Sequence, residues 1–224
     1  QTKFQKIDSL LTFLNQNNKF MGSVALREND KILFAKTYGF ANVETNKLLD
    51  NDTKLKIGSI TKTFTATIIM QLIDEKKLSL DTKLSKFYPK IPNADKITML
   101  HLLQHRSGIP DFLNDDPNSE KYIYIYNSKE DLIKRITEYK PAFEPGTKYA
   151  YSNSNYNLLG YIIEKITRKS YQENLNDKIF SKIGLQNTSL TYKINPENEA
   201  YSYTYTGSNW EKTPEWNGSL AFSA

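Results

Sequence analysis

The chain has 224 residues, 38% apolar and 12% aromatic, with 30 Lys+Arg against 25 Asp+Glu and no cysteine. That length supports one large domain or two small ones around a real hydrophobic core, and the composition is that of a folded rather than a disordered chain. Without cysteine there are no disulfides, thiolate metal sites, iron–sulfur clusters or cysteine nucleophiles, and the net charge of +5 sits in residues 1–112 (17 basic, 11 acidic) rather than in 113–224 (13 and 14).

Ile7, Leu10, Leu11 and Leu14 fall at i, i+3, i+4 and i+7, so the chain opens with an amphipathic helix. Two β-rich runs, residues 20–28 and 31–38, joined across Asn29-Asp30, predict a hairpin, with Gly39 as a breaker after it. Residues 60–77 read as a helix whose centre, Ala66-Thr67-Ile68-Ile69-Met70, is apolar almost all round and therefore buried. Short helices are expected over 80–87 and 98–104, the second stopped by Gly108 and Pro110. Residues 112–130 form a polar, Tyr-rich excursion, and 131–138 another helix. After the loop marked by Pro141, Pro145 and Gly146 comes a helix over 155–167, with Leu158, Leu159, Ile162, Ile163 and Ile166 apolar. A further helix spans 171–183, closed by Gly184. Strand-like material returns at 188–192 and 201–205. Strands, then helices, then strands favour an α+β fold with helices packed on an antiparallel sheet over repeated βαβ units.

One segment carries chemistry. Ser59-Ile60-Thr61-Lys62 is an S-x-x-K pattern at the start of a helix. Residues three apart share a helix face, about 5–6 Å between Cβ atoms, so the lysine can reach the serine hydroxyl and take its proton. The helix N-terminus favours negative charge developing beside Ser59. Taken alone, the pattern is more commonly a capping serine and a solvated lysine, and its context decides. That context is Tyr151-Ser152-Asn153, which follows the Pro-Gly loop Phe143-Glu144-Pro145-Gly146-Thr147-Lys148-Tyr149-Ala150 and leads into the next helix.

In these segments the chain resembles the serine β-lactamase and penicillin-binding-protein-like superfamily, nearest its class C β-lactamase and D-alanyl-D-alanine carboxypeptidase branch. The likeness is carried by IGSITKTFTA at 57–66, LLQHRSGIP at 102–110, FEPGTKYAYSNSNYNLLG at 143–160 and residues 161–185, and it spans roughly residues 5–224. It implies an antiparallel sheet flanked by helices (about 1–58 and 188–224) plus an all-helical region (about 59–187). By the same resemblance Ser59 is the acyl-forming nucleophile, Lys62 the general base or proton relay, and Tyr151 the tyrosine that shares a proton with nucleophile and leaving group. Asn153 is the amide that holds substrate.

The family's third motif, Lys-Thr-Gly or His-x-Gly, has no counterpart here. Lys212-Thr213-Pro214 has Pro in place of Gly, and Tyr205-Thr206-Gly207 comes early and lacks the basic residue. The expectation is therefore a domain incomplete at its C-terminus, lacking the last strands and final helix, with a genuinely short chain that has lost catalysis as the alternative. The N-terminus, Gln1-Thr2-Lys3-Phe4, has no initiator Met and no apolar signal segment and reads as a mature or trimmed start, compatible with a periplasmic or extracellular protein.

Other residues carry less. His101 and His105, four apart, have zinc-compatible spacing but no third ligand in view, and Asp115-Asp116 lacks a calcium loop; no metal and no cofactor is expected. Tyr122, Tyr124 and Tyr126 alternate, and either line a substrate groove or pack an extended segment, whereas Tyr201, Tyr203 and Tyr205 read as a strand face. Only four arginines, with lysines interleaved among acidic residues, argue against nucleic acid, and no apolar run reaches the ~20 residues of a membrane span. The function expected is a serine hydrolase acting through an acyl-enzyme on a peptide-like (D-Ala-D-Ala type) or β-lactam bond, with peptidoglycan as the large partner. Tyr-Ser-Asn, where class C β-lactamases typically resemble Tyr-Ala-Asn, favours a peptidase over a β-lactamase. The alternatives are an esterase or D-amino-acid peptidase of the same fold, or a penicillin-binding module without turnover.

Overall fold

The computed structural model describes residues 3–191, 193–220 and 222. The chain divides into two compact units, residues 1–56 with 193–215, and residues 57–192 with 216–224.

The first unit opens with α1 (Lys3–Gln16), which Asp8 ties to the following hairpin by accepting from Lys36 Nζ at 2.7 Å and from the Tyr38 hydroxyl at 2.9 Å. The hairpin pairs β1 (Gly22–Glu28) with β2 (Lys31–Tyr38) antiparallel, with a bulge at Leu26/Arg27. Asn29 takes the left-handed conformation that its turn needs. Among the described residues the expected antiparallel pairing comes as three two-stranded pairs. Besides the hairpin they are β3 (Phe40–Asn42) with β4 (Lys47–Leu48), and β5 (Tyr203–Tyr205) with β6 (Trp210–Lys212). Strands of two and three residues are too short for a period-2 pattern to register, which is why β3 and β4 escape a sequence reading. Residues 188–191 form no strand: the Leu190 N–H is taken by the Gln172 side chain rather than by a neighbouring strand, and Tyr192 lies outside the described residues.

The second unit is helical. α2 (Thr61–Asp74) buries Ile68, Ile69 and Leu72 but leaves Thr63, Thr67, Met70 and Asp74 exposed. It is thus amphipathic rather than buried all round, and Met70 marks the side that the apolar run concealed. The helix expected over 80–87 is a single 3-10 turn, Leu84–Lys86. Its surroundings pair with residues 94–99 instead: Leu84 N–H donates to Ile97 O, Ser85 N–H to Ala94 O, and Met99 N–H to Thr82 O. α3 (Met99–Leu103) begins in a capping box between Thr98 and His101. α4 (Lys129–Glu138) is capped by Ser128 and buries Leu132 and Ile136.

α5 (Asn153–Thr167) is the axis of this unit, with every residue from Asn153 to Ile163 buried. α6 (Tyr171–Leu175), a π turn (Asn176–Phe180) and α7 (Ser181–Ile183) replace the one helix expected there, with Gly184 left-handed at the end. Leu220 and Phe222 return to this core: Phe222 packs edge-on against Tyr161 and Tyr171 and fills the space over Gly160, where a Cβ would stand 2.9 Å from its ring.

Candidate active site

Ser59 sits in a 3-10 turn, Gly58–Ile60, that runs directly into α2, and it is exposed. Gly58 before it has φ of +51°, a left-handed conformation that glycine adopts without strain. One turn on, Lys62 projects from the same face into the protein and is only 7% exposed. Its Nζ donates to Ser59 Oγ at 3.0 Å and to Asn153 Oδ1 at 2.8 Å. The Tyr151 hydroxyl lies 2.8 Å from Ser59 Oγ and 3.5 Å from Asn153 Oδ1. All four residues singled out from the sequence therefore meet in one hydrogen-bonded cluster, although 91 residues separate Lys62 from Asn153.

Two loops and one helix end bring them together. Tyr151 precedes the extended N-cap residue of α5, Ser152, and Asn153 is that helix's first residue. The stretch 105–108 runs alongside residues 142–150, with Ala150 N–H donating to His105 O, Gly146 N–H to Arg106 O and Ala142 N–H to Gly108 O. Gly108 permits this approach. Its φ is +77°, and a Cβ there would fall 2.1 Å from the carbonyl oxygen of Phe143.

His105 and Asp111, not singled out as site residues from the sequence, hold the cluster from behind. The His105 ring lies between the rings of Tyr151 (centroids 4.5 Å apart) and Tyr156 (5.1 Å), and its Nδ1 accepts the Ser152 N–H at 3.1 Å. Burial, then the Lys62 cation, holds its imidazole below the ordinary value, against an opposing pull from Asp111. Asp111, 1% exposed, accepts from Asn153 Nδ2 with both carboxylate oxygens, at 3.2 and 3.0 Å. The amide thus turns its oxygen to Lys62 and its nitrogen to Asp111. The available signal for both residues was their position: His105 lies inside, and Asp111 directly after, the segment LLQHRSGIP. Around them Ser107 Oγ donates to Asn155 Oδ1 at 2.6 Å and Ser154 Oγ to Pro110 O at 2.6 Å, which locks the loop to the first turn of α5.

The remaining candidates have structural roles. His101 takes part in the α3 capping box. Asp115 accepts the Asp111 N–H, and Asp116 accepts from the hydroxyls of Tyr122 (3.1 Å) and Tyr139 (2.7 Å). Tyr122 is further covered by the Arg135 guanidinium at 3.4 Å, while Tyr124 and Tyr126 are exposed. Of the alternating tyrosines, then, one packs and two face solvent. Among the described residues no group of three or more His, Asp or Glu is arranged to hold a metal ion, and no helix is long and apolar enough to cross a membrane.

Chemically, an exposed hydroxyl within reach of an amine and a phenol is an arrangement for proton removal from a serine. Known proteins share this chain's sequence and fold. It is 31% identical over 211 residues to a teichoic acid D-alanine hydrolase of Staphylococcus aureus, covering 92% of this chain and 49% of the relative. It is 29% identical over 212 residues to penicillin-binding protein 4* of Bacillus subtilis, covering 92% and 46%. Among solved structures it superposes on a penicillin-binding protein from Bacillus halodurans with a TM-score of 0.80 and 28% identity, covering 94% of this chain and 66% of that one. The D-amino acid amidase of Ochrobactrum anthropi SV3 gives 0.81 and 26%, covering 98% and 63%. The chain spans about half the length of the curated relatives it matches. The Beta-lactamase family model matches residues 13–222, and with the α+β architecture shared with these relatives, the chain belongs to the beta-lactamase family.

Proposed function

We propose that this chain carries the nucleophile, base and phenol of a serine acyl-transfer hydrolase that acts on a D-configured aminoacyl amide or ester. The observation that carries the reading is the contact of Lys62 Nζ and the Tyr151 hydroxyl with the same oxygen, Ser59 Oγ, at 3.0 and 2.8 Å. In the first half-reaction Ser59 Oγ forms a bond to the substrate carbonyl carbon. Its proton passes to the Lys62 amine, directly or by way of Tyr151. As the tetrahedral intermediate collapses, the bond to the leaving amine or alcohol breaks, and the leaving group takes that proton through Tyr151. In the second, water adds to the acyl ester, releases the carboxylic acid and restores the Ser59 hydroxyl.

The substrate class is supported by the relatives' names, one of which carries D-alanine, one D-amino acid and two penicillin. Tyr-Ser-Asn favours a peptidase over a β-lactamase. A cell-wall polymer bearing such groups would agree with a periplasmic or extracellular protein.

The test is labelling of the full-length protein with a fluorescent penicillin and with a fluorophosphonate, beside Ser59→Ala. Covalent label on the wild type and none on Ser59→Ala is the expected result. A wild-type protein that neither probe labels is a binding module, and the reading fails.

A further inference from the structure

Lys62 and Asp111 are both charged and both almost fully buried, at 7% and 1% exposure. Burial of a charge is costly unless an opposite charge or a set of hydrogen bonds compensates it. The two are joined through one side chain: Lys62 Nζ donates to Asn153 Oδ1 at 2.8 Å, and Asn153 Nδ2 donates to the Asp111 carboxylate at 3.0 and 3.2 Å. Only this orientation of the amide works. Flipped, it would turn its NH2 to the ammonium and its oxygen to the carboxylate.

We propose that Asp111 is the counter-charge of Lys62, relayed through the Asn153 amide, and acts as a positioning residue for the base.

Four more features fit. Asp111 is itself fixed, accepting the Leu113 N–H at 3.0 Å and an Asn114 amide hydrogen, while its own N–H donates to Asp115 Oδ2. It begins the loop that follows the tightly packed 105–110 stretch, so its place is set by backbone rather than by a flexible stem. Asn153 is held as the first residue of α5. Among the groups facing Lys62 are Ser59, Tyr151, the Tyr156 ring at 5.7 Å and the His105 imidazole, a mostly aromatic setting in which a carboxylate relayed by Asn153 supplies negative charge.

The role as positioner of a base rests on the reading of Lys62 under Proposed function; the charge coupling does not. Two measurements separate them. The first is a double-mutant cycle of Lys62→Met and Asp111→Asn in the full-length protein, read by denaturant unfolding. Each single variant leaves the remaining buried charge without its opposite, so the double variant should be at least tenfold more stable in its unfolding constant than the two single effects combined. Refolding of the double variant where Asp111→Asn alone does not fold is the same result in stronger form. Additive effects, or a double variant as unfolded as Asp111→Asn, overturn the proposal. The second is the single-turnover rate of fluorophosphonate labelling, read separately from the fraction of protein labelled. If Asp111 positions the base, Asp111→Asn should label at least tenfold more slowly. A merely structural role lowers the fraction labelled and leaves the rate in place, and an unchanged rate overturns the proposal. If the wild type takes no label, the catalytic reading fails while the unfolding cycle still decides the charge pair.

Discussion

At His105 a buried ring gives the site a pH dependence. Burial and then Lys62 hold its imidazole below the ordinary 6.5, so at neutral pH Nδ1 carries a lone pair for the Ser152 N–H. His101 is lowered likewise, by burial and then by Lys83 and Arg106. A base whose folded value lies below its unfolded one leaves the unfolded chain binding more protons between the two values. The stability these histidines contribute is therefore complete above about pH 6.5 and is lost as pH falls through 6.5 toward the folded values. The denaturant midpoint should drop between pH 8 and pH 5, less steeply in His105→Gln; a flat midpoint over that range would contradict it. Tyr151 permits a separate test. Its hydroxyl touches Ser59 Oγ while Lys62 reaches the same atom independently. Tyr151→Phe should slow acylation by about 10²–10⁴-fold yet leave labelling above the Ser59→Ala background. Labelling at the wild-type rate would remove the phenol from the mechanism.

Between elements, the 105–111 loop shows what local sequence could and could not reveal. Ser59 and Lys62 were legible because three-residue spacing on a helix fixes their proximity, and α5 because Leu158, Leu159, Ile162 and Ile163 mark one buried face. Asp111 was not, because its importance depends on a loop meeting the start of a helix 42 residues later, and no period encodes that meeting. The 80–87 segment was misread for a related reason: its helical composition yields to backbone bonds with residues 94–99, a tertiary override of propensity. Two glycines gauge how tightly the loop is held. Gly58 and Gly108 both have positive φ, but a Cβ at Gly58 would meet nothing within 4 Å, whereas at Gly108 it would meet the Phe143 oxygen at 2.1 Å. Gly58→Ala should cost about 1 kcal/mol, for the left-handed backbone alone. Gly108→Ala should cost about 3 kcal/mol or more, since the loop must part from residues 142–143. Equal destabilisation of the two in urea would show that the loop yields without cost.

Over the whole molecule, stability should be distributed as unevenly as the buried apolar surface. In the unit of residues 57–192 and 216–224 one continuous cluster runs from Ile68, Ile69 and Leu72 of α2 through Leu102 of α3 and Leu132 and Ile136 of α4 to α5, α6 and Leu220. In the unit of residues 1–56 and 193–215 the buried cluster is Ala41, Leu49 and Ala200, while Ile32, Leu33 and Leu48 are exposed on its strands. Two alanines and a leucine bury little surface at about 25 cal/mol per Å², and two-stranded pairs are marginal by themselves. Openings of β1–β2 and β5–β6 should therefore need much less free energy than global unfolding. Native-state hydrogen exchange should find the slowest amides in α5, at Leu158–Ile163, with an opening free energy equal to the global value from denaturant. The amides of β1 and β2 should exchange at least a hundredfold faster than those, through openings insensitive to low urea. Truncating Ile162 to Ala, a loss of about 2–5 kcal/mol, should then speed exchange in α5 and leave the hairpin rates unchanged. Protection of the hairpin equal to that of α5, falling in step with it in the Ile162→Ala variant, would mean that the two units open as one.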